Sequence, residues 1–283
     1  MRAERMNALN DRIAAFYDRS SGLWEKTWGE HMHHGYYGPN GDQAKDHRQA
    51  QVDLIEALLH WGGINACRNF LDMGCGIGGS TLYLAHKFKA SGTGITLSPF
   101  QCQRARERAD SAGLGDRVSF ELGDAHYPPC KAGSFDLVWS LESGEHMADK
   151  SRFLSACYQM LAPGGKLLMA TWCHRPGPPL NREEQRLLDH IYRDYHLPHI
   201  LSIDGYQAIA GEIGFEHLEI DDWTPAVQPF WPAVVRSALT LRSLAGLAKA
   251  GWPTIKGALA MCHMIRGYKT GLLRFGILKG ERP

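Results

Sequence analysis

The rhythm of hydrophobic and polar positions changes near residue 67 of the chain. Before that point the apolar residues recur at helical spacing, as Ile13 and Phe16 do, and the pattern predicts helices over residues 10–28 and 43–59. After it, short apolar runs alternate with amphipathic stretches, which indicates strands and helices in turn. The predicted strands are residues 69–73, 92–97, 118–122, 135–141, 165–172, 215–223 and 272–278, and the predicted helices are residues 80–88, 99–111, 150–161, 182–195, 206–213 and 231–268, the last broken at 251–253.

This alternation is typical of an α/β fold, and we predict a Rossmann-like, doubly wound, seven-stranded sheet with parallel strands. A chain of 283 residues is long enough for one such core and a sizeable insertion. We expect three parts: an N-terminal helical cap over the ligand, a core, and helical lid insertions that receive a second ligand. The cap is residues 1–60, the core is residues 61–173, 214–223 and 270–283, and the lid is residues 174–213 and 224–269.

The charges are balanced overall but unevenly distributed. The formal net charge of +1 gives no reason to expect a nucleic-acid partner. No acidic residue occurs between Asp222 and Glu281, whereas eight basic residues do. A basic quarter of this kind suggests a surface that meets anions, so peripheral membrane contact is one expectation and an ordinary solvated face is the alternative. The eight are Arg236, Arg242, Lys249, Lys256, Arg266, Lys269, Arg274 and Lys279.

Cysteine usage and hydropathy bear on the compartment. The seven cysteines include no CxxC pair, and no signal peptide precedes them. We therefore expect reduced thiols in a cytoplasmic protein. No run reaches the roughly 18 apolar residues that a transmembrane helix needs.

A glycine-rich turn follows the first predicted strand. The run from Asp72 to Gly79 reads DMGCGIGG, and its glycines let the backbone approach a ligand while the next helix offers free N–H groups. The run also satisfies GxGxxG, so an NAD-linked oxidoreductase must be considered. A dinucleotide site carries an acidic residue about 20 positions on for the ribose hydroxyl. Here the second strand ends in Thr96-Leu97-Ser98-Pro99 without an acid, which argues against NAD.

Two further features favour S-adenosylmethionine as the cofactor. Asp72 precedes Gly74 by two positions, where a carboxylate can face the charged methionine end. Asp124 follows the third strand, where methyltransferases commonly clamp the adenine amino group. The alternatives are that Asp72 caps the turn and that Asp124 is a surface residue. The predicted cofactor-binding residues are Asp72, Gly74, Cys75, Gly76, Gly78, Thr96, Leu97, Ser98, Gln101, Gly123, Asp124, Ala125, Ser140, Tyr17 and Trp28.

Glu142, Glu145 and His146 follow the fourth strand, at the sheet edge where open α/β folds bind ligands. Methyl transfer to a phenol or an amine benefits from a base, and histidine, with an unperturbed pKa of about 6.5, suits that role. We hypothesise that His146 accepts a proton from the acceptor and that Glu142 or Glu145 orients its ring. The alternative is that His146 opens a helix and bonds its own backbone.

An aromatic loop and an apolar lid are the predicted acceptor site. The loop carries His31, His33 and His34, but no cysteine lies near and the reaction needs no metal, so we predict no metal site. We expect this loop to close over the cofactor. We expect residues 225–268 to cover a small hydrophobic aromatic acceptor. The alternative for the aromatic side chains is that they pack in the core. The predicted acceptor-binding residues are His34, Tyr36, Leu141, Phe230, Trp231 and Met261.

Six runs of the sequence carry a family resemblance: residues 29–37, 70–80, 94–99, 139–147, 251–261 and 264–269. They resemble the gamma-tocopherol methyltransferase family, a class I S-adenosylmethionine-dependent group, and the likeness spans nearly the whole chain. The resemblance implies methylation of an aromatic carbon of a chromanol head group. Plant alkaloid N-methyltransferases resemble the same family, so N-methylation of an amine stays open, as does methylation of another phenol or quinol or a catalytically idle binding protein. Leu141 and Ala148 depart from the family pattern and put the acceptor in question.

Overall fold

The computed structural model describes residues 2–241 and 251–283, and its centre is one seven-stranded sheet. The strand order is β3-β2-β1-β4-β5-β7-β6. All seven predicted strands are present, most of them within two residues of the predicted ends. The strands are β1 Asn69–Met73, β2 Ser91–Thr96, β3 Val118–Leu122, β4 Phe135–Leu141, β5 Leu161–His174, β6 Glu216–Asp222 and β7 Leu273–Glu281.

Helices flank the sheet on both sides, and local sequence explains several of their ends. Ser98 accepts a hydrogen bond from the Gln101 amide and so begins α4 ahead of Pro99. Asn181 and Glu184 form a reciprocal capping box at the start of α6. The helices are α1 Arg2–Trp28, α2 His47–Trp61, α3 Gly79–Phe88, α4 Pro99–Ser111, α5 Lys150–Met160, α6 Arg182–Asp194, α7 Ile203–Ile213, α8 Thr224–Val227, α9 Phe230–Leu241 and α10 Gly251–Lys269.

The expectation of an all-parallel sheet is wrong for the last strand. The strands β1 to β5 pair in parallel, whereas β7 runs antiparallel to both β5 and β6. The sheet is therefore mixed. An apolar run has the same pattern in either direction, so the sequence could indicate β7 but not its orientation.

Two apolar cores lie on the two faces of the sheet. Phe70 belongs to the core formed with α2, α3 and α4, while its neighbour Leu71 belongs to the core formed with α5 and α7. This separation follows from the two-residue period of a strand. Phe70 also explains Gly92 on the next strand, because a Cβ at that position would lie 2.2 Å from the Phe70 ring.

The lid differs from the prediction at α7. Tyr206 and Ala210 of this helix pack with Phe153 of α5 in the second core, so residues 203–213 belong to the layers of the core. α6 and α10 pack against each other, and α10 begins at the predicted break, with Pro253 in its first turn. The predicted lid or basic residues Arg242, Leu244, Leu247 and Lys249 lie outside the described residues. The remaining division into cap, core and lid stays a prediction.

Across the described ranges, no helix is both long and apolar enough to cross a membrane. All seven cysteines are free thiols, and five of them are buried. The buried thiols therefore contribute to the cores as small apolar side chains.

Candidate active site

A cavity with about 850 Å³ of empty space, counting the solvent at its mouth, opens at the carboxyl ends of β1, β2 and β4. Its floor is the glycine turn after β1, and its sides are the loops that follow β2, β3 and β4. Helix α1 and the loop at residues 30–33 close it from above. This edge of the sheet is where parallel α/β folds bind ligands. The predicted cofactor residues that line the cavity are Tyr17, Asp72, Gly74, Cys75, Gly76, Thr96, Leu97, Ser98, Gln101, Gly123 and Ala125.

Backbone geometry shapes the glycine turn. The amides of Gly74 and Cys75 both donate to the Ile95 carbonyl, which holds the turn against β2. Gly74 has a φ of +104°, and a Cβ there would lie 2.3 Å from the Cβ of Ser143. The turn leads into α3, which begins after Gly78 without a side-chain cap. Its first amides therefore remain available to a ligand.

Asp72 lies under the turn and is 2% exposed. Thr81 Oγ1 donates to its Oδ2 atom at 2.6 Å, so Asp72 does help to fix the start of α3. Burial raises the pKa of the Asp72 carboxyl to about 7, although the Thr81 hydrogen bond opposes the shift. A cation bound nearby would favour the ionised form of this carboxyl.

Four predicted cofactor residues are not among those that line the cavity. Gly78 packs against Phe120, and the Ser140 hydroxyl forms a hydrogen bond with the hydroxyl of Ser143 at 2.8 Å. Trp28 stacks on Trp24. Asp124, the fourth, accepts hydrogen bonds from His126 at 2.6 and 2.9 Å and from Asn10 at 2.8 Å.

Helix α1 lies across the cavity and contacts its sides at several points. Asn10 bonds Asp124 in the loop after β3, and Glu25 pairs with Arg104 of α4 at 2.8 Å. Between them, Tyr17 Oη lies 2.7 Å from His146 Nε2. Helix α1 therefore covers the cavity and places the hydroxyl of Tyr17 inside it.

The hypothesis that Glu142 or Glu145 orients His146 is wrong for this structure. Glu142 accepts hydrogen bonds from the His34 amide, from His34 Nδ1 at 2.8 Å and from Trp172 Nε1 at 2.8 Å. Glu145 is not among the described cavity residues, and its carboxylate accepts from Thr171 Oγ1 at 2.8 Å. Both carboxylates are thus engaged elsewhere, and Tyr17 is the partner of His146.

His146 ends a short 3₁₀ turn, Gly144–His146, which buried donors hold in place. Lys150 Nζ donates to the Gly144 and Glu145 carbonyls, each at 2.9 Å, and Tyr206 Oη donates to the Gly144 carbonyl at 3.2 Å. These bonds position the ring that the turn carries.

Desolvation governs the ionisation of this cluster. Burial lowers the pKa of His146 to about 3, and nearby Lys150 adds to the shift. Burial also lowers the pKa of Lys150 to about 7 and raises that of Glu145 to about 8, to which Glu142 contributes. For Glu142 itself, burial favours the neutral acid, but His34 outweighs this effect and the pKa falls below its usual value. His146 is therefore neutral and Glu142 ionised near pH 7.

Of the six predicted acceptor residues, only Leu141 lines the cavity. His34, Phe230 and Trp231 are fully buried in an aromatic cluster, in which the His34 ring lies 5.0 Å from the Phe230 ring and 5.4 Å from the Trp231 ring. Tyr36 packs against Trp223, and Met261 packs against the first core. Core packing, the alternative for aromatic side chains, describes most of this set.

Several cavity residues were not predicted as site residues. The aromatic loop was recognised in the sequence, but His31, Met32 and His33 were not assigned to the cofactor site, although they line it. Within residues 2–241 and 251–283, no group of three or more potential ligands is arranged to hold a metal ion. The other unpredicted residues of the lining are Ile13, Glu30, Ile77, Gly79, Ser80, Ile95, Ser143 and Met147.

Comparison with known proteins adds to this geometry. Residues 71–169 match the family described as "Methyltransferase domain". The chain is 44% identical to tocopherol O-methyltransferase, chloroplastic, of Arabidopsis thaliana, over 99% of this chain and 84% of that protein. The chain belongs to the tocopherol O-methyltransferase family. It is an S-adenosylmethionine-dependent methyltransferase of the Rossmann-like class.

Two further comparisons show how broad the likeness is. The chain is 32% identical to norajmaline N-methyltransferase of Rauvolfia serpentina, over 96% of this chain and 97% of that protein. Geranyl diphosphate C-methyltransferase of Streptomyces coelicolor A3(2), solved with S-adenosyl-L-homocysteine, superposes with a TM-score of 0.77 over 97% of this chain and 98% of that chain. At 20% identity, this structural similarity shows only that the two proteins share a fold.

The residues of the cavity fit S-adenosylmethionine. The uncapped start of α3 suits a carboxylate, and the buried carboxyl of Asp72 suits a positive charge. Three buried ring nitrogens on cavity residues, His31 Nδ1, His33 Nε2 and His146 Nδ1, have no hydrogen-bond partner among the described residues. Unpaired buried polar atoms of this kind are expected where a polar ligand completes the site.

We expect His31 to make the methyltransferase less stable in acid. Burial, with smaller contributions from His33 and Arg108, lowers the pKa of His31 to about 3 in the folded state, against about 6.5 in the unfolded chain. The folded state therefore cannot take up the proton that the unfolded state binds, and the stability due to this group is lost as the pH falls from 6.5 towards 3. Relative to His31→Gln, the wild-type free energy of unfolding should fall by up to about 1.4 kcal/mol per pH unit in that range.

Urea unfolding of both proteins between pH 4 and pH 8 measures this difference. His86→Gln, which changes an exposed histidine on α3, is the matched control and should keep the wild-type profile. Parallel profiles for wild type and His31→Gln would contradict the prediction.

Proposed function

We propose that the chain methylates an aromatic carbon of a tocopherol-like chromanol. The observation that carries the proposal is the neutral, weakly basic His146 beside Tyr17 in the cavity, together with the membership of the tocopherol O-methyltransferase family. When bound, S-adenosylmethionine supplies an electrophilic methyl group. The residues of the chain orient the acceptor, exclude water and accept a proton.

A weak base distinguishes between the possible acceptor atoms. A neutral phenol is already activated at its ring carbons, and attack from carbon turns it into a protonated dienone, a much stronger acid than the phenol. A base of low pKa can take that proton. Methylation at phenolic oxygen is helped by forming the phenolate first, and methylation of an amine requires the unprotonated amine. Removing a proton from a phenol hydroxyl or from an ammonium ion before transfer is harder for a histidine whose pKa burial lowers, so the surroundings of His146 favour methylation at carbon.

We assign the proton to His146 Nδ1. In the reactive tautomer Nε2–H donates to Tyr17 Oη, 2.7 Å away, and this leaves the lone pair on Nδ1, an atom without a partner in the described structure. Protonation at Nδ1 retains the bond to Tyr17. Glu142 remains ionised nearby, where its charge favours the protonated ring. In this scheme Glu142 and Glu145 support the site and do not take the proton.

N-methylation of an alkaloid-type amine is the second candidate, and the 32% identity to norajmaline N-methyltransferase favours it. An amine that enters the cavity unprotonated needs the base only after transfer. Methylation of another phenolic or quinol compound is the third. The acceptor therefore has to be identified by its product.

We expect methyl transfer from labelled S-adenosylmethionine to gamma- or delta-tocopherol, with the new methyl group on a ring carbon. The panel also contains a methylated benzoquinol and several indole alkaloid amines, and mass spectrometry with NMR locates the methyl group. Product on nitrogen alone, or on phenolic oxygen, would refute the proposed chemistry and leave the cofactor assignment intact.

Removing the base should slow turnover without weakening cofactor binding. We expect His146→Ala to lower kcat by about 100-fold, the lower part of the range for a general base. The dissociation constant of S-adenosylhomocysteine should change by less than about twofold, because the glycine turn is untouched. His86→Ala, an exposed histidine of α3, serves as control. If His146→Ala retains turnover within twofold of wild type, His146 is not the base.

We further propose that the basic C-terminal quarter contacts anionic lipid, because a hydrophobic acceptor partitions into membranes. Arg266 and Lys269 are exposed on α10, whereas Arg274 and Lys279 pair with Asp222 and Glu219. Each exposed basic residue near an anionic surface contributes about 1 kcal/mol, screened by salt.

Vesicle co-sedimentation tests the membrane contact. We expect binding to vesicles with anionic lipid at low salt, release at high salt, and no binding to neutral vesicles. The absence of binding to anionic vesicles at low salt would end this proposal without affecting the catalytic one.

A further inference from the structure

His31 and His33 are the part of the aromatic loop that the proposed chemistry does not use. Both line the cavity, their rings lie 5.2 Å apart, and the residues are 8% and 5% exposed. His31 Nδ1 and His33 Nε2 have no hydrogen-bond partner in the described structure. An unpaired buried polar atom is costly, so a ligand that supplies the missing partner is favoured.

The proton positions on His33 follow from its other nitrogen. Nδ1 lies 2.8 Å from the His34 carbonyl oxygen, which can only accept, so Nδ1 carries the hydrogen and donates it. Burial is the largest influence on the His33 pKa and lowers it, so the ring is neutral near pH 7. A neutral ring protonated at Nδ1 has a lone pair at Nε2. The missing partner of His33 is therefore a hydrogen-bond donor.

The loop that carries His33 is held firmly. Gln51 Nε2 donates to the His31 carbonyl at 2.6 Å and to the His33 carbonyl at 2.9 Å, and Gln51 is fully buried in α2. The backbone of the two histidines is thereby tied to the first core. His33 is therefore already fixed in position before a ligand binds.

The same loop lies directly against the start of α3. A Cβ on Gly79 would lie 2.8 Å from His31 Nδ1 and 2.5 Å from the Glu30 carbonyl oxygen. The first turn of α3 has no side-chain cap and attracts an anionic group. One part of the cavity wall thus combines an anion site with a neutral acceptor of hydrogen bonds. An α-amino acid group, with one carboxylate and one ammonium, has the matching chemistry.

We propose that His33 Nε2 accepts a hydrogen bond from the α-ammonium of the methionine part of S-adenosylmethionine, whose carboxylate lies at the start of α3. A neutral acceptor binds the ammonium without adding a negative charge beside the sulfonium. The inference concerns cofactor binding and is independent of the acceptor and of the role of His146.

Calorimetric titration with S-adenosylhomocysteine and two analogues tests this assignment. One analogue lacks the carboxylate and keeps the ammonium; the other lacks the ammonium and keeps the carboxylate. For His33→Phe we expect about 10-fold weaker binding of S-adenosylhomocysteine and of the ammonium-only analogue, as for loss of a hydrogen bond to a charged group. Binding of the carboxylate-only analogue should be unchanged.

Two more variants separate binding from folding. His33→Gln supplies an amide oxygen as acceptor and should recover most of the lost affinity, whereas His86→Phe, on the exposed side of α3, should behave as wild type. Circular dichroism verifies that each variant is folded. If His33→Phe does not fold, His33→Leu takes its place in the same titration, because a comparison within the wild-type protein does not separate His33 from the buried carboxyl of Asp72.

Three results would overturn the assignment. The first is an equal loss of affinity for both analogues in His33→Phe. The second is unchanged binding of S-adenosylhomocysteine by that variant. The third is a wild-type protein that binds the ammonium-only analogue no more tightly than it binds methylthioadenosine. A wild-type protein that binds none of these compounds would instead refute the cofactor fit itself.

Discussion

The buried carboxylate of Glu142 is the constraint on which the site depends. Glu142 directly follows β4, and its φ of +53° is a left-handed conformation that is uncommon outside glycine and is held here by its contacts. Its oxygens accept hydrogen bonds from His34 in the aromatic loop and from Trp172 in β5. His34 in turn contacts Tyr268 of α10 at 3.2 Å. One carboxylate thus joins the N-terminal loop, the sheet and the C-terminal helix around the cavity.

Desolvation then decides the chemistry of the groups that this arrangement encloses. Neutral His31, His33 and His146 line a cavity in which the ionised Glu142 carboxylate already accepts hydrogen bonds from His34 and Trp172. Burial thereby turns histidines into hydrogen-bonding groups and weak bases. The Lys150 ammonium, beneath the Gly144–His146 turn, is bound only by carbonyl oxygens among its described hydrogen bonds. Lys150 is therefore placed to hold the Gly144–His146 turn in position.

The aromatic side chains show why composition alone does not distinguish an acceptor site from core packing. Phe230, Trp231 and His34 were expected to form the wall of a pocket, but each is almost completely buried against the others. Burying large aromatic surfaces is strongly favourable, and the hydrophobic effect does not distinguish a ligand from a neighbouring ring. The same ambiguity does not affect glycines, whose positions in the turn after β1 are dictated by backbone geometry.

Local patterns were sufficient to place nearly every strand and helix and the glycine turn, because strand period, capping and positive φ are properties of neighbouring residues. Eleven of the fifteen predicted cofactor residues line the cavity. The direction of β7, the place of α7 in the core, the Tyr17–His146 pair and the Gln51 support of the histidine loop were decided by the tertiary structure. These features join residues far apart in the chain, and no local rule carries information about which distant group will satisfy a buried polar atom.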